Sequence, residues 1–215
     1  MAILTGTTSK QSADRKSPGR PRRFDSGQIL DSALDLFWKQ GYTQTTTRHL
    51  ETSLSLNQSS IYYTFGSKEK LFDLVLNRYE SLTAEALLDP LESSDLGIMA
   101  LEQFFNNLYI WITLDGRRGC LLINLMAEDG GNNTSFTMRT ETYRQRVREG
   151  LKIALDRAVA FRELSEGDSE SRSMILLTLA LGINIAARGG ASKKELQGLV
   201  KAVISQIHEW NASQP

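Results

Sequence analysis

Residues 45–71 read TTTRHLETSLSLNQSSIYYTFGSKEKL, and this stretch decides the fold. The Thr45-Thr46-Thr47 run supplies an N-cap for a short helix that carries Leu50 and Leu54. Ser55 and Leu56 turn the chain tightly, and Asn57 caps a second short helix, with Leu56 and Ile61 placed as a hydrophobic staple. The second helix, residues 58–65, is polar: Gln58, Ser59, Ser60, Tyr62, Tyr63 and Thr64 surround Ile61 and Phe65. Two short helices joined by a tight turn make a helix-turn-helix. So polar a helix gains little from a core, but the base edges of a major groove need hydroxyl, amide and aromatic partners. Gln58, Ser59 and Tyr63 are therefore the candidates for base edges. Thr46, Thr47, Tyr62, Thr64 and Lys68 are better placed for phosphates, and Arg48 and Ser60 complete the candidate DNA-binding set. Spacing alone also fits an ordinary helical hairpin.

Working outward, a helix begins at Phe24-Asp25, where Asp25 can cap, Gln28 takes the third helical position and Phe24 can staple onto Ile29. Ile29, Leu30, Ala33, Leu34, Phe37 and Trp38 form its apolar face, and Gly41 closes it. On the other side, Gly66-Ser67 breaks the polar helix, and a long helix is predicted from Lys68 to about Leu88, ending before Pro90.

Downstream the patterning stays helical, over residues 96–114, 120–128, 136–161, 170–188 and a last helix opened by the Ser192-x-x-Glu195 capping box. Residues 170–188 are apolar nearly all round and should be buried between partners. In the last helix Leu196, Leu199, Val200, Val203, Ile204, Ile207 and Trp210 form one stripe. With no strand worth assigning, the fold class is all-α. A flexible basic arm spans 1–21, an N-terminal three-helix helix-turn-helix domain 22–82, and a larger helical effector and dimerisation domain 83–215.

The 215 residues are 40% hydrophobic and 23% charged, ordinary for a globular protein with a core. Net charge is zero, but residues 1–70 carry ten Lys/Arg against six acids, and residues 71–215 the remaining fifteen against nineteen. Such asymmetry suggests a polyanion-binding end. The first 23 residues, with six basic side chains to one acidic, read as an arm able to add phosphate or minor-groove contacts. A single cysteine, Cys120, makes no internal disulfide and fits a reducing compartment. The start MAILTGTTSK lacks a signal-peptide apolar stretch, and the apolar run at 174–187 is short for a membrane span. A cytoplasmic protein is expected.

The stretch from Gly19 to Glu80, GRPRRFDSGQILDSALDLFWKQGYTQTTTRHLETSLSLNQSSIYYTFGSKEKLFDLVLNRYE, closely resembles the DNA-binding domain of TetR-type transcriptional regulators. Residues 60–71 are its most specific segment, and Gly41-Tyr42 and Thr45-Thr46 also match. The resemblance implies that residues 46–65 are the helix-turn-helix, that Tyr62 and Lys68 clamp the DNA backbone, and that Gln58, Ser59 and Tyr63 face the groove. Ser55 stands where glycine is usual, and His49 replaces a common acidic residue. The resemblance further implies a homodimer through residues 170–211, a near-palindromic double-stranded DNA operator, repression as the regulatory sense with activation as the alternative, and a small-molecule effector.

An effector pocket would lie among Phe104, Tyr109, Trp111, Cys120, Asn124, Met126, Tyr143 and Met174, apolar walls with a few polar groups. Cys120 offers an alternative, a thiol or electrophile sensor, since Arg117 and Arg118 could lower its pKa at a helix N-terminus. The cationic run Arg139, Arg144, Arg146, Arg148, Lys152 and Arg157 is interspersed with Glu141, Glu149 and Asp156 and reads as a solvated face. With two histidines and no HExxH, CxxC, phosphate loop or Gly-x-Ser-x-Gly, no enzyme, metal site or cofactor is expected.

Overall fold

The computed structural model describes residues 26–93, 95–114 and 119–211. The basic arm, the Phe24-Asp25 helix start, and Arg117 and Arg118 lie outside the described residues. Four helices make the N-terminal head: α1 (Ser26–Gln40), α2 (Thr47–Leu54), α3 (Gln58–Phe65) and α4 (Lys68–Thr83). The boundaries follow the caps. Thr46 accepts from the His49 backbone N–H, and the His49 ring nitrogen accepts in return from the Thr46 N–H. The histidine thus closes a capping box normally completed by Glu or Gln. Asn57 caps α3 through the Ser60 N–H, and Ser67 caps α4 through that of Lys70. Ser55 ends α2 in the left-handed region, at φ 52°, with its N–H on the Glu51 carbonyl. Beneath the caps, Phe37, Trp38, Leu50, Ile61, Leu71, Phe72, Val75 and Tyr79 are fully buried, each worth roughly 1.5–3 kcal/mol of transfer free energy.

The helix entered at Lys68 does not stop before Pro90, contrary to the sequence expectation. It continues as a π-helical segment, Ala84–Leu88, into α5 (Asp89–Ser93), with Pro90 inside α5. A proline in a helix removes one N–H and crowds the carbonyl four residues back, here that of Ala86. The wider π turn, closed by the Asp89 N–H on the Ala84 carbonyl, relieves the crowding. The Ala86 carbonyl is taken instead by the Asn107 side chain at 3.2 Å.

The remaining helices are α6 (Ile98–Thr113), α7 (Leu121–Asp129), α8 (Thr134–Ala160), α9 (Ser169–Arg188) and α10 (Lys193–Glu209). Among the described residues the one β-type pairing is an isolated bridge between Leu164 and Asn211. Asn133, Asp168 and Ser192 cap α8, α9 and α10. One core is built from α5, α6, α8, α9 and α10. The other belongs to the head but does not stop at residue 82: Leu121, Leu122, Ile123 and Leu125 of α7, with Phe136 of α8, pack into it. Phe136 meets Tyr42 and Phe72 edge-on, with ring centroids 5.1 and 5.6 Å away.

Helix α9 has the length and apolarity of a membrane-crossing helix, yet it packs on α6, α7, α8 and α10. Its buried face holds Leu176, Ala180, Ile183 and Ala187, while Met174, Ile175 and Ile185 are exposed. The apolar character all round is thus half used within one chain. The α10 stripe divides likewise: Leu196, Val200, Val203 and Ile207 are buried and Leu199 is exposed.

Candidate nucleic-acid interface

Helix α3 stands on two buried side chains, Ile61 and Phe65, and turns the rest of its surface outward. Gln58, Ser59, Tyr62, Tyr63 and Thr64 are exposed and Ser60 is half-buried. Tyr63 is 93% exposed, so its ring contributes almost nothing to the core. Its neighbour is restrained: the Tyr62 hydroxyl lies 3.2 Å from Thr47 Oγ1 on α2. Glu51 of α2 accepts from the Gln58 N–H at 2.7 Å, so one helix of the pair helps cap the other. Thr46 and Arg48 are exposed and Thr47 half-buried at the start of α2, beside α3. All ten candidates therefore lie on α2 or its N-cap, on α3 or at the N-terminus of α4.

Lys68 sits at the first position of α4 with its Nζ 4.3 Å from the centroid of the Tyr42 ring. This cation–π contact holds the ammonium beside α3. Partial burial lowers the Lys68 pKa, with the nearby Glu128 carboxylate acting in the opposite sense. Burial raises the Tyr42 pKa, helped by the negative charges of Glu69 and Asp73. Tyr42 is fixed from below by Phe72, 4.7 Å between centroids, and its N–H donates to Glu128 Oε2 at 3.0 Å.

The candidate effector residues do not all converge. Phe104, Trp111, Cys120 and Tyr143 line one cavity together with Tyr79, Arg144 and Asn184. Tyr109, Asn124, Met126 and Met174 are not in its wall, and Met174 is exposed on α9. Free space for a water-sized occupant is only about 20 Å³. Tyr79 organises the wall: its hydroxyl donates to Cys120 Sγ at 3.0 Å and accepts from Trp111 Nε1 and the Leu121 N–H. Asn184 Oδ1 and Arg144 Nε are buried there without a hydrogen-bond partner.

Cys120 does precede a helix, as the N-cap of α7, but burial pushes its thiol up. The expected lowering is not what the described residues produce, because desolvation outweighs the hydrogen bonds that favour the thiolate. The α8 cations are paired: Arg139 with Glu80, Arg146 with Asp89 and Glu92, Arg148 with Glu170, and Lys152 with Asp156.

Sequence reading overlooked Tyr79, Glu128 and Arg188. Tyr79 stands at a buried position of α4 that no motif marks, and the other two are single charges far from the motif in sequence.

The capped, outward-facing polar helix on an all-helical body has the form of a helix-turn-helix. Residues 29–75 match the family model described as bacterial regulatory proteins, tetR family. The HTH-type transcriptional repressor ComR of Escherichia coli (strain K12) is 29% identical over 197 residues, covering 88% of this chain and 92% of ComR. The repressor BdcR of the same strain is 40% identical over 82 residues, 38% of this chain and 40% of BdcR. The fold matches that of the TetR family regulator CifR, solved as a cysteine mutant with 26 bp operator DNA, at TM-score 0.73 and 23% identity over 86% of this chain and 98% of CifR. Together these matches support a TetR-type transcriptional regulator.

Proposed function

We propose that this regulator is a cytoplasmic repressor that binds a near-palindromic operator as a homodimer and is released by a small molecule. The observation that carries the reading is the outward face of α3, where Gln58, Ser59 and Tyr63 stand free while Ile61 and Phe65 anchor the helix. In this reading those three side chains meet base edges. Thr46, Thr47, Arg48, Ser60, Tyr62, Thr64 and Lys68 fix the register on phosphates. The names of ComR and BdcR support repression as the regulatory sense.

Dimerisation through residues 170–211 is supported by the exposed Ile175, Ile185 and Leu199, and by the groove between α9 and α10 that Leu179, Gly182 and Leu199 line. A twofold dimer sets its two α3 helices about 34–36 Å apart, one turn of DNA. The effector would occupy the cavity under Tyr79 and Trp111. At about 20 Å³ it must widen to admit anything larger than water, and that widening is how a ligand would favour one arrangement of the heads over another. Asn184 Oδ1 and Arg144 Nε supply an acceptor and a donor for it.

The test is a titration of the full-length protein against DNA from upstream of its own gene, at physiological salt with excess random competitor. Saturable, competitor-resistant binding by a dimer is expected. Failure there and in a selection from random duplexes would overturn the DNA-reading role.

A further inference from the structure

The C-terminus of α1 is gripped by one ion pair from two other helices. Glu128, at the end of α7, places Oε2 3.0 Å from the Tyr42 N–H and 3.4 Å from the Thr43 N–H, and Oε1 3.2 Å from Arg188 Nη2. Arg188, the last residue of α9, donates from Nη1 to the Trp38 and Lys39 carbonyls, each at 3.4 Å. The anion thus takes the donors of the turn after α1, and the cation takes the acceptors of its last turn. A helix C-terminus leaves just these carbonyls unpaired and attracts a cation. Gly41 makes the approach possible: it has φ +87°, and a Cβ there would lie 1.9 Å from Glu128 Oε1. Both charged side chains are half-buried, so the pair is less screened by solvent than a fully exposed salt bridge.

The same turn carries the ring beneath Lys68. From Arg188 to Glu128, to the Tyr42 backbone, to the Tyr42 ring and on to Lys68 Nζ, each step is a direct contact. We propose that Glu128 and Arg188 are positioning residues for DNA binding, which lock the turn at 41–43 to the end of α9 and so hold Lys68 at the height where it meets a phosphate. This rests on the reading of Lys68 as a phosphate clamp. Simple electrostatics points the other way, since removing a carboxylate near a phosphate-facing lysine should tighten binding to a polyanion. The two views therefore differ in sign.

The experiment uses the full-length dimer and a labelled duplex recovered by selection from a random library, with affinity measured across a salt series. Lys68→Ala should weaken binding and flatten the dependence of log K on log salt by about 0.9 per lost phosphate contact. Glu128→Ala and the milder, near-isosteric Glu128→Gln should weaken binding by roughly tenfold, the middle of the range for directly coupled residues. In the Lys68→Ala background the Glu128 substitutions should cost almost nothing. Arg188→Ala should match Glu128→Ala, and the double variant should be no worse than either. Far-UV circular dichroism and sedimentation check fold and dimer; should Glu128→Ala fail to fold, Glu128→Gln decides. Unchanged or tighter binding by the Glu128 variants, or a cost undiminished without Lys68, overturns the inference. A Lys68→Ala protein that binds normally with an unchanged salt slope refutes instead the clamp reading on which it rests.

Discussion

Thr47 Oγ1 and the Tyr62 hydroxyl lie 3.2 Å apart, joining the first turn of α2 to the exposed side of α3. The contact draws the Tyr62 hydroxyl toward the N-terminus of α2, where backbone N–H groups favour an anion. Tyr62 is 37% exposed against 93% for Tyr63, so two adjacent tyrosines of one helix occupy different environments.

That difference separates roles. Tyr62→Ala is expected to weaken cognate and random DNA in parallel, because a phosphate contact carries no sequence information. Gln58→Ala is expected to leave random DNA nearly unaffected and to narrow the cognate preference by about 1–3 kcal/mol, the value of one base-pair contact. Competition titrations of both variants on both duplexes check this. Equal losses for both mutants on both DNAs would refute the division.

Ser55 is held at φ 52°, where a Cβ costs roughly 1–2 kcal/mol. Glycine would remove that cost but give back part of it as unfolded-chain entropy. Ser55→Gly is therefore expected to stabilise the head by up to about 1 kcal/mol, raising the midpoint by about 2–4 °C for a chain of this size. Ser55→Val, β-branched in the same region, should lower it. A thermal melt in which Gly lowers the midpoint would contradict this account of the turn.

Much of the head was legible because its signals are local. Asn57, Thr46 and the Leu56–Ile61 staple act within four or five residues of themselves, and Ser55 was recognisable as a non-glycine forced into a turn. What escaped depends on partners distant in the chain. Pro90 reads as a stop because nothing nearby in sequence says that Asn107 will take the Ala86 carbonyl. Met174 reads as a cavity wall because an all-round apolar helix does not disclose which side its own chain will cover. Glu128 lies 86 residues from the Tyr42 N–H it accepts, and no periodicity reports such a contact.

Alkali should loosen the junction between head and body. Burial raises the pKa of the Cys120 thiol, and raises those of the Tyr79 and Tyr143 phenols well above the ordinary value. In the unfolded chain these groups ionise near about 8.5 for the thiol and about 10 for the phenols. Above those values the unfolded state binds fewer protons than the native one, so stability falls as pH rises. The contribution is whole below the unfolded values and is lost as pH climbs through them toward the folded ones. Urea midpoints should hold to about pH 8 and decline from about pH 8.5 to 11. Cys120→Ala should remove the earliest part of the decline. A midpoint that rises over this range would contradict the buried, neutral triad.

Ile175 and Ile185 on α9 and Leu199 on α10 are between 38% and 49% exposed, while Leu176, Ala180, Ile183 and Ala187 on α9 and Leu196, Val200, Val203 and Ile207 on α10 are buried. Substitution there should leave the subunit folded, since none of the three lies in its core. A charge at Ile185 would nonetheless be left unpaired in an interface between two such faces, at a cost of several kcal/mol. If the unsubstituted protein dimerises through this face as proposed, Ile185→Glu and Leu199→Glu are expected to sediment as folded monomers at concentrations where it is a dimer. With the two heads no longer joined, their operator affinity should fall far more than their affinity for random DNA. Met99→Glu is the control. Met99 is 53% exposed on α6 and is not among the residues lining the groove between α9 and α10, and the variant should remain a dimer with normal operator binding. If Ile185→Glu and Leu199→Glu also remain dimers, the second subunit docks elsewhere, and the half-site spacing must be set by another surface.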